Sequence, residues 1–436
     1  MKILIAQLLG LIIYLFLKFV VISYPTREGG SIKNTNKNKE DKRIKKLELI
    51  KSNKNFLTLK RVSKLLILLL IIFNLQLISY SFEISKKDGL LKLTDSKLIL
   101  INKILIISGV IINNQDNQSK TEKLIIIKTN LLGITIMILS NDWILTIVSW
   151  ELFNMSLYLL VSLRSESEAS LAASLKYFVL SALSTTFLLM GVCKLYKLTG
   201  STHYEIIETN LLHLINNDIN VFYIDMAFIL IFFTLLFKLS AAPLHQWAPD
   251  LYESLETKVT NWKIIVPKLS VLTFILVLID NFSLILINQK LLFLFLIFGS
   301  LSIIIGSIAL YNQWLKKRLL AYSGISHIGY MLLALYCKDI HSFIFYMLIY
   351  GLTTLNIFTI LKVISEINLY NSKLTLNHEV SNNTYSFHFF KKMNEIKYIQ
   401  DIAGLIKLNP FLSIAFSISL FSLAGNKNGM SAKNSM

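Results

Sequence analysis

A succession of apolar runs about 20 residues long, separated by short polar and mostly basic connections, limits what this chain can fold into more than any other feature. A helix needs about 20 predominantly apolar residues to cross a hydrocarbon core, whereas a barrel strand needs only about ten and alternates polar with apolar. These runs are long and do not alternate. Only helices and closed barrels satisfy their backbone in lipid, so the runs read as transmembrane helices. They fall at about 3–23, 63–84, 97–113, 124–141, 143–163, 171–196, 221–248, 260–281, 291–312, 319–337, 340–364 and 410–425. The fold class is all-α: a polytopic membrane protein of about twelve transmembrane helices.

Composition agrees. Of 436 residues, 54% are hydrophobic and 16% charged, with a mean hydropathy of +0.59, far from a soluble domain. The net charge of +18 sits in connections, notably Arg27 to Arg61, the Gln313–Arg318 link and Lys362 to Lys407. Nucleic-acid binding would require one soluble basic patch with aromatic platforms; these charges punctuate spans instead and follow the positive-inside rule. With loop 24–62 on the positive side, counting spans puts links 313–318 and 365–408 on that same side. Met1–Val21 has a lysine before an apolar run, as a signal peptide does, but it is as long as a span and lacks a small-residue cleavage site, so a retained helix is expected. Cys193 and Cys337 lie far apart within apolar segments and read as small packed hydrophobes rather than a disulfide. The Lys- and Asn-rich loop from Ser23 to Leu59 is expected to be mobile or held by a neighbouring subunit. The excess of Ile, Lys, Asn, Leu and Phe fits an AT-rich, organellar gene.

Three spans each carry a titratable group. Lys238 stands with Pro243 at the end of an apolar run, in Phe237-Lys238-Leu239-Ser240-Ala241-Ala242-Pro243-Leu244-His245; Glu151 lies in Trp150-Glu151-Leu152-Phe153-Asn154, and Lys268 in Val266-Pro267-Lys268-Leu269. A charge at the bilayer centre costs roughly 2.5–3.5 kcal/mol on insertion scales, which makes function the default reading. Glu151, Asn154 and Tyr158 share a helical face at offsets of three and seven. On the next span, Lys176 aligns roughly with Ser184 and lies near Ser181. Pro243 has no amide proton for the carbonyl of Leu239, and Pro267 none for that of Lys263, so each predicts a helix break with polar space beside a lysine. At ~6 Å and an effective dielectric near 20, a Glu151–Lys238 pair interacts by about 3 kcal/mol, so moving the carboxylate switches how tightly the lysine holds its proton. His327, within the tenth span, can carry protons in the physiological range. His245 can orient the broken helix end, and His203, His213 and His341 fall at predicted loop positions without a role. His378 and His388 have no matching Cys or acidic partners for a metal. Phosphate loops, Cys clusters and in-span His pairs spaced for haem are missing, so no redox cofactor is expected on this chain. The bland alternatives are a buried ion pair that only fixes packing, simple proline kinks and a hydrogen-bonded interior histidine.

Several of these motifs occur in an order that resembles a known family. Ser149-Trp150-Glu151-Leu152-Phe153-Asn154-Met155-Ser156-Leu157-Tyr158, Ser167-Glu168-Ala169 with Leu175-Lys176-Tyr177-Phe178, Phe237 to Asp250, Val266-Pro267-Lys268, and Lys317-Arg318-Leu319-Leu320-Ala321-Tyr322-Ser323 running into His327 are similar to the NADH dehydrogenase subunit 2 family. These are the antiporter-like membrane subunits of respiratory complex I, homologous to cation/proton antiporter subunits. The likeness covers about 124–365, with a weaker echo at Asp401–Leu405 and Ser422–Gly425. It implies two inverted five-helix repeats, each with a broken helix, and a line of charges along the membrane midplane. By motif, Glu151 corresponds to the carboxylate of the ion pair, Lys238 to its broken-helix partner and Lys268 to the central relay lysine, with Lys176 and His327 on the same axis. The implied organisation is N-terminal helices over 1–123, a first repeat over 124–281, a partial second repeat over 290–425 and a tail over 426–436. The family continues past Ser-Leu-Ala-Gly with prolines, a second helix break, an exit lysine and two further spans. Here Gly425 leads into a polar tail, and Lys433 does not match the exit lysine. The reading favoured is a separate chain supplying the remaining helices; its rival is a degenerate subunit that no longer pumps.

The function expected is a proton-conducting membrane-arm subunit of NADH:ubiquinone oxidoreductase in the mitochondrial inner membrane. Its partners would be the other membrane subunits, with NADH, flavin, iron–sulfur clusters and ubiquinone used elsewhere in the complex. A stand-alone cation/proton antiporter and a non-pumping architectural subunit are the alternatives.

Overall fold

The computed structural model describes residues 97, 101, 104, 107, 108, 121–162, 168–216, 221–282, 289–379, 398 and 410–425. The expected spans 3–23 and 63–84, loop 24–62 and tail 426–436 lie outside these residues. Within the expected span 97–113, Lys97, Ile101, Ile104, Ile107 and Ser108 are helical and buried, at the spacing of one helix face. The chain divides into two compact units, one up to Leu163 and one from Arg164, and each is described by itself.

In the first unit, α1 (Thr121–Leu139) and α2 (Trp143–Ser162) pack on each other. The turn between them ends at Asp142, whose Oδ1 accepts the amide proton of Ile144 at 3.2 Å and so caps α2. The Asn130 side chain crosses from α1 to donate to Ser156 Oγ at 2.8 Å and to the Phe153 carbonyl at 3.2 Å. Among apolar side chains, such paired polar groups fix the register of the two helices.

The second unit contains α3 (Glu168–Thr199), α4 (Tyr204–Asn216), α5 (Val221–Leu239), α6 (Trp247–Ser254), α7 (Thr257–Asn281), α8 (Gln289–Tyr311), α9 (Lys316–Tyr336), α10 (Ile340–Glu379) and α11 (Pro410–Gly425). Across both units, seven helices among the described residues are long and apolar enough to cross a membrane. The apolar window of α7 is 94% buried, so this helix is the core of its unit. It packs on α5 and α10; α3 lies along α5, and α8 along α9. The α8–α9 approach is close because Gly306 has no side chain: a Cβ there would stand 2.8 Å from the Ser326 amide nitrogen.

Several details depart from expectation. The span predicted over 221–248 ends at Leu239. Its last turn closes with Ser240 N–H donating to the Phe237 carbonyl and Ala241 N–H to the Leu236 carbonyl, both at 3.0 Å, with Ser240 at φ 60°. This is a Schellman termination with a serine in the left-handed position, so the helix stops three residues before Pro243 is reached. At Pro267 no break forms, because α7 runs through it unbroken. The segment 204–216, read as a loop, is amphipathic helix α4: Tyr204, Ile207 and Leu211 are buried and His213 is exposed. His341 lies in the first turn of α10, and α10 continues to Glu379, well past the expected end at 364. Cys193 and Cys337 are exposed free thiols rather than packed core. Leu315 and Tyr398 form an antiparallel bridge, which brings the 313–318 and 365–408 links together as the span count requires.

Candidate proton-transfer site

Lys238 is the penultimate residue of α5, where the cation faces the unpaired carbonyl end of the helix. Its side chain is buried. Nζ donates to Tyr177 Oη at 3.3 Å and to Ser181 Oγ, both on α3. Tyr177, Ser181 and Ser184 recur at offsets of four and seven, so they line one face of α3 and meet α5 together. The break after Lys238 is held from outside by Trp247, whose Nε1 donates to the Phe237 carbonyl at 3.2 Å and whose ring stacks obliquely on Tyr177 at 4.9 Å between centroids.

Lys268, on α7, is 2% exposed, and its ammonium has no hydrogen-bond partner among the described residues. It lies 5.7 Å from the Tyr252 ring centroid. The hydroxyl of Tyr350, on α10, is likewise buried without a partner among the described residues. Both border Gly324 of α9: a Cβ there would stand 3.0 Å from Tyr350 Oη and 3.4 Å from Lys268 Nζ. Two unsatisfied polar groups across a glycine gap make a place that favours water, since leaving either group dry costs about 1–3 kcal/mol. The route continues to His327, buried on α9, whose ring centre is 5.5 Å from that of Tyr350 and whose Nδ1 shares a 2.7 Å hydrogen bond with Tyr346 Oη. The interior of this unit thus holds Lys238, Lys268 and His327 on three different helices, with tyrosine hydroxyls beside each.

Lys176 is not among them. It is exposed and pairs with Asp250 at 2.7 Å, and Asp250 also receives Arg318 at 2.7 Å; Arg318 reaches Glu253 at 3.0 Å. The offset from Lys176 to Ser181 is five, which turns the lysine away from the face that Tyr177 occupies. Burial would raise the Asp250 carboxyl, but hydrogen bonds and charges from Lys176 and Arg318 outweigh it and hold the group below the ordinary carboxylate value. This network ties α3, α6 and α9 at their ends.

Glu151 belongs to the first unit, half-buried on α2 one turn before Asn154. Asn154 is fully buried, and neither its amide nitrogen nor its oxygen has a partner within the described residues. His245, beyond the break, is partly exposed; its carbonyl accepts the Ala248 amide at 3.0 Å at the start of α6. Sequence reasoning passed over Tyr177, Lys263, Tyr346 and Tyr350. The face spacing of Tyr177 with Ser181 and Ser184 was a readable signal, whereas nothing local marked the tyrosines of α10. Among the described residues no group of three or more His, Cys, Asp or Glu is placed to hold a metal.

Residues 140–426 match the family described as NADH:quinone oxidoreductase/Mrp antiporter, TM. The chain belongs to that family. Among similar proteins, NADH-ubiquinone oxidoreductase chain 2 of Rhizopus oryzae is 36% identical over 299 residues, covering 68% of this chain and 53% of that one. NADH-quinone oxidoreductase subunit N of Pelagibacter ubique is 36% identical over 307 residues, covering 69% of this chain and 58% of that one. The chain thus spans a little over half the length of these curated relatives. The fold is shared with a chain of respiratory complex I from Thermus thermophilus with bound Aureothin, at TM-score 0.67 and 21% identity, over 97% of this chain and 78% of that chain. It is also shared with a chain of the Mrp complex from Dietzia sp. DQ12-45-1b, at TM-score 0.67 and 18% identity, over 96% and 71%. The polytopic all-helical architecture is therefore that of the family's membrane subunits.

Proposed function

We propose that this chain conducts protons through its helical interior as a membrane-arm subunit of an NADH:quinone oxidoreductase, driven by quinone reduction in other subunits. The observation that carries the reading is the fully buried Lys268 ammonium without an acceptor among the described residues, flanked by Lys238 and His327 on neighbouring helices. A static buried charge would be paired, since an uncompensated one costs several kcal/mol, whereas a site that gains and loses a proton spends part of each cycle neutral. Moving a charge against ~100 mV takes about 2.3 kcal/mol, so an energy source is required, and the proposal places it in quinone reduction by other subunits. NADH, flavin, iron–sulfur clusters and ubiquinone accordingly belong to other subunits. Glu151, half-buried in the first unit, is proposed as a further titratable group of this function, and the eukaryotic chain 2 relatives favour the mitochondrial inner membrane. The family also includes Mrp antiporters, so exchange of a cation for a proton without redox partners is the second reading.

Lys268→Met in the assembled complex tests the proposal. Proton-coupled NADH:quinone turnover falls at least roughly tenfold, a conservative bound against the roughly hundredfold or more that a positioned proton-transfer group contributes, while the amount of assembled complex is unchanged. Wild-type turnover with wild-type assembly would overturn it.

A further inference from the structure

Lys263 is a buried cation that neither the sequence motifs nor the relay above employs. It lies on α7, 2% exposed, and its Nζ has no hydrogen-bond partner among the described residues. It sits over the face of Tyr177 at 3.4 Å from the ring centroid and 5.6 Å from the ring of Trp247. Tyr177 is also the residue whose hydroxyl receives Lys238, with Lys238 Nζ 5.2 Å from the same centroid. Two amines from different helices therefore bracket one tyrosine, in a compartment that Trp247 closes and that holds Ser181 as a further hydroxyl. Five residues along α7, about 7.5 Å at helical rise, stands Lys268.

We propose that Lys263 is a proton-holding site of the relay, exchanging a proton with Lys238 beside Tyr177 and handing it on toward Lys268. Two ammonium groups that share the Tyr177 ring repel each other, so occupancy of one site by a proton opposes occupancy of the other. A proton arriving at Lys238 is thereby driven off Lys263. In the step itself the Lys238 ammonium gives a proton to the Tyr177 hydroxyl as that hydroxyl gives its own to a water molecule, the water releases one to the Lys263 amine, and the total charge is unchanged. The aromatic faces of Tyr177 and Trp247 stabilise the ammonium when Lys263 is charged, without a fixed anion that would trap it.

The inference rests on the proton-conducting reading, and the test separates the two. Lys263→Arg keeps a positive charge that cannot be lost, Lys263→Met and Lys263→Gln keep none, and Lys268→Met serves as reference. Each is made in the full chain and assayed in the assembled, membrane-embedded complex for proton-coupled NADH:quinone turnover, with assembly measured in parallel. A site that must cycle fails in both directions: Arg and Met or Gln each lower turnover at least roughly tenfold at unchanged assembly. Wild-type turnover in Lys263→Arg with loss in Lys263→Met and Lys263→Gln would make Lys263 a fixed cation that props the broken helix, and would overturn the proposal. Wild-type turnover in Lys263→Met or Lys263→Gln would overturn it as well. If Lys268→Met alone among these variants is impaired, the inference about Lys263 fails and the general reading stands; if Lys268→Met is also unaffected, both fail.

Discussion

Gly324→Ala is the sharpest perturbation of the central gap, because it adds one methyl group and changes no charge. The new Cβ would lie 3.0 Å from Tyr350 Oη, about 0.4 Å inside ordinary contact, and 3.4 Å from Lys268 Nζ. Relieving such overpacking costs about 1–3 kcal/mol. Where that cost falls decides the phenotype. If it fell on folding, the complex would lose stability; the gap, however, is bounded by two polar groups with no partners, and the methyl group occupies the room a bridging water would use. The cost then falls on the hydrated state of the relay, and at 1.4 kcal/mol per decade it slows transfer roughly 5- to 150-fold. The assay is proton-coupled NADH:quinone turnover in membranes, normalised to assembled complex. Gly324→Ala combined with Tyr350→Phe separates sterics from chemistry: removing the hydroxyl relieves the contact, yet turnover stays low because the polar stepping stone is gone. Wild-type turnover in the single variant at wild-type assembly would refute the reasoning.

Two further outcomes concern the scaffold. Asp250→Asn removes the acceptor shared by Lys176 and Arg318, and at about one-third exposure it lowers stability by no more than about 1 kcal/mol. Because the folded carboxyl is held below its unfolded value, this contribution is present above the ordinary carboxylate range and is lost as pH falls through the folded value; melting curves of the two proteins should differ near neutrality and converge in acid. Ser240→Gly relieves a left-handed residue at the end of α5 and should raise the melting temperature, by the equivalent of about 1 kcal/mol, without lowering turnover; a lowered melting temperature would show that the serine side chain matters more than the backbone conformation.

The membrane helices were legible because their signal is long and one-dimensional. The apolar runs at 143–163, 260–281 and 291–312 recur as spans at Trp143–Ser162, Val259–Asn281 and Leu292–Tyr311. What hydropathy could not show was helix outside the apolar band: α4 is too short and too mixed in composition, and α10 carries its helical backbone through polar residues to Glu379. Of the candidate site, Lys238, Lys268 and His327 were found by the rarity of ionisable groups in apolar runs, and all three are buried. Lys176, placed on the polar line by its rough alignment with Ser184 and by motif, is exposed and pairs with Asp250; the neighbouring Tyr177 is the residue that meets Lys238. Pro243 drew attention away from the serine that ends α5, since a left-handed conformation at a residue other than glycine leaves no mark in composition. Lys263 went unread because it stands near the start of its span, where a lysine ordinarily reaches the interface. Its burial depends on Tyr177 and Trp247, which come from two other helices.

Proton transfer through this chain needs a wet, polar route through an otherwise apolar bundle. A density map of the assembled complex at a resolution that shows ordered water would reveal it. Water is expected between Lys268 Nζ and Tyr350 Oη, continuing toward His327. A dry gap closed by apolar side chains, with Lys268 turned toward lipid, would contradict it.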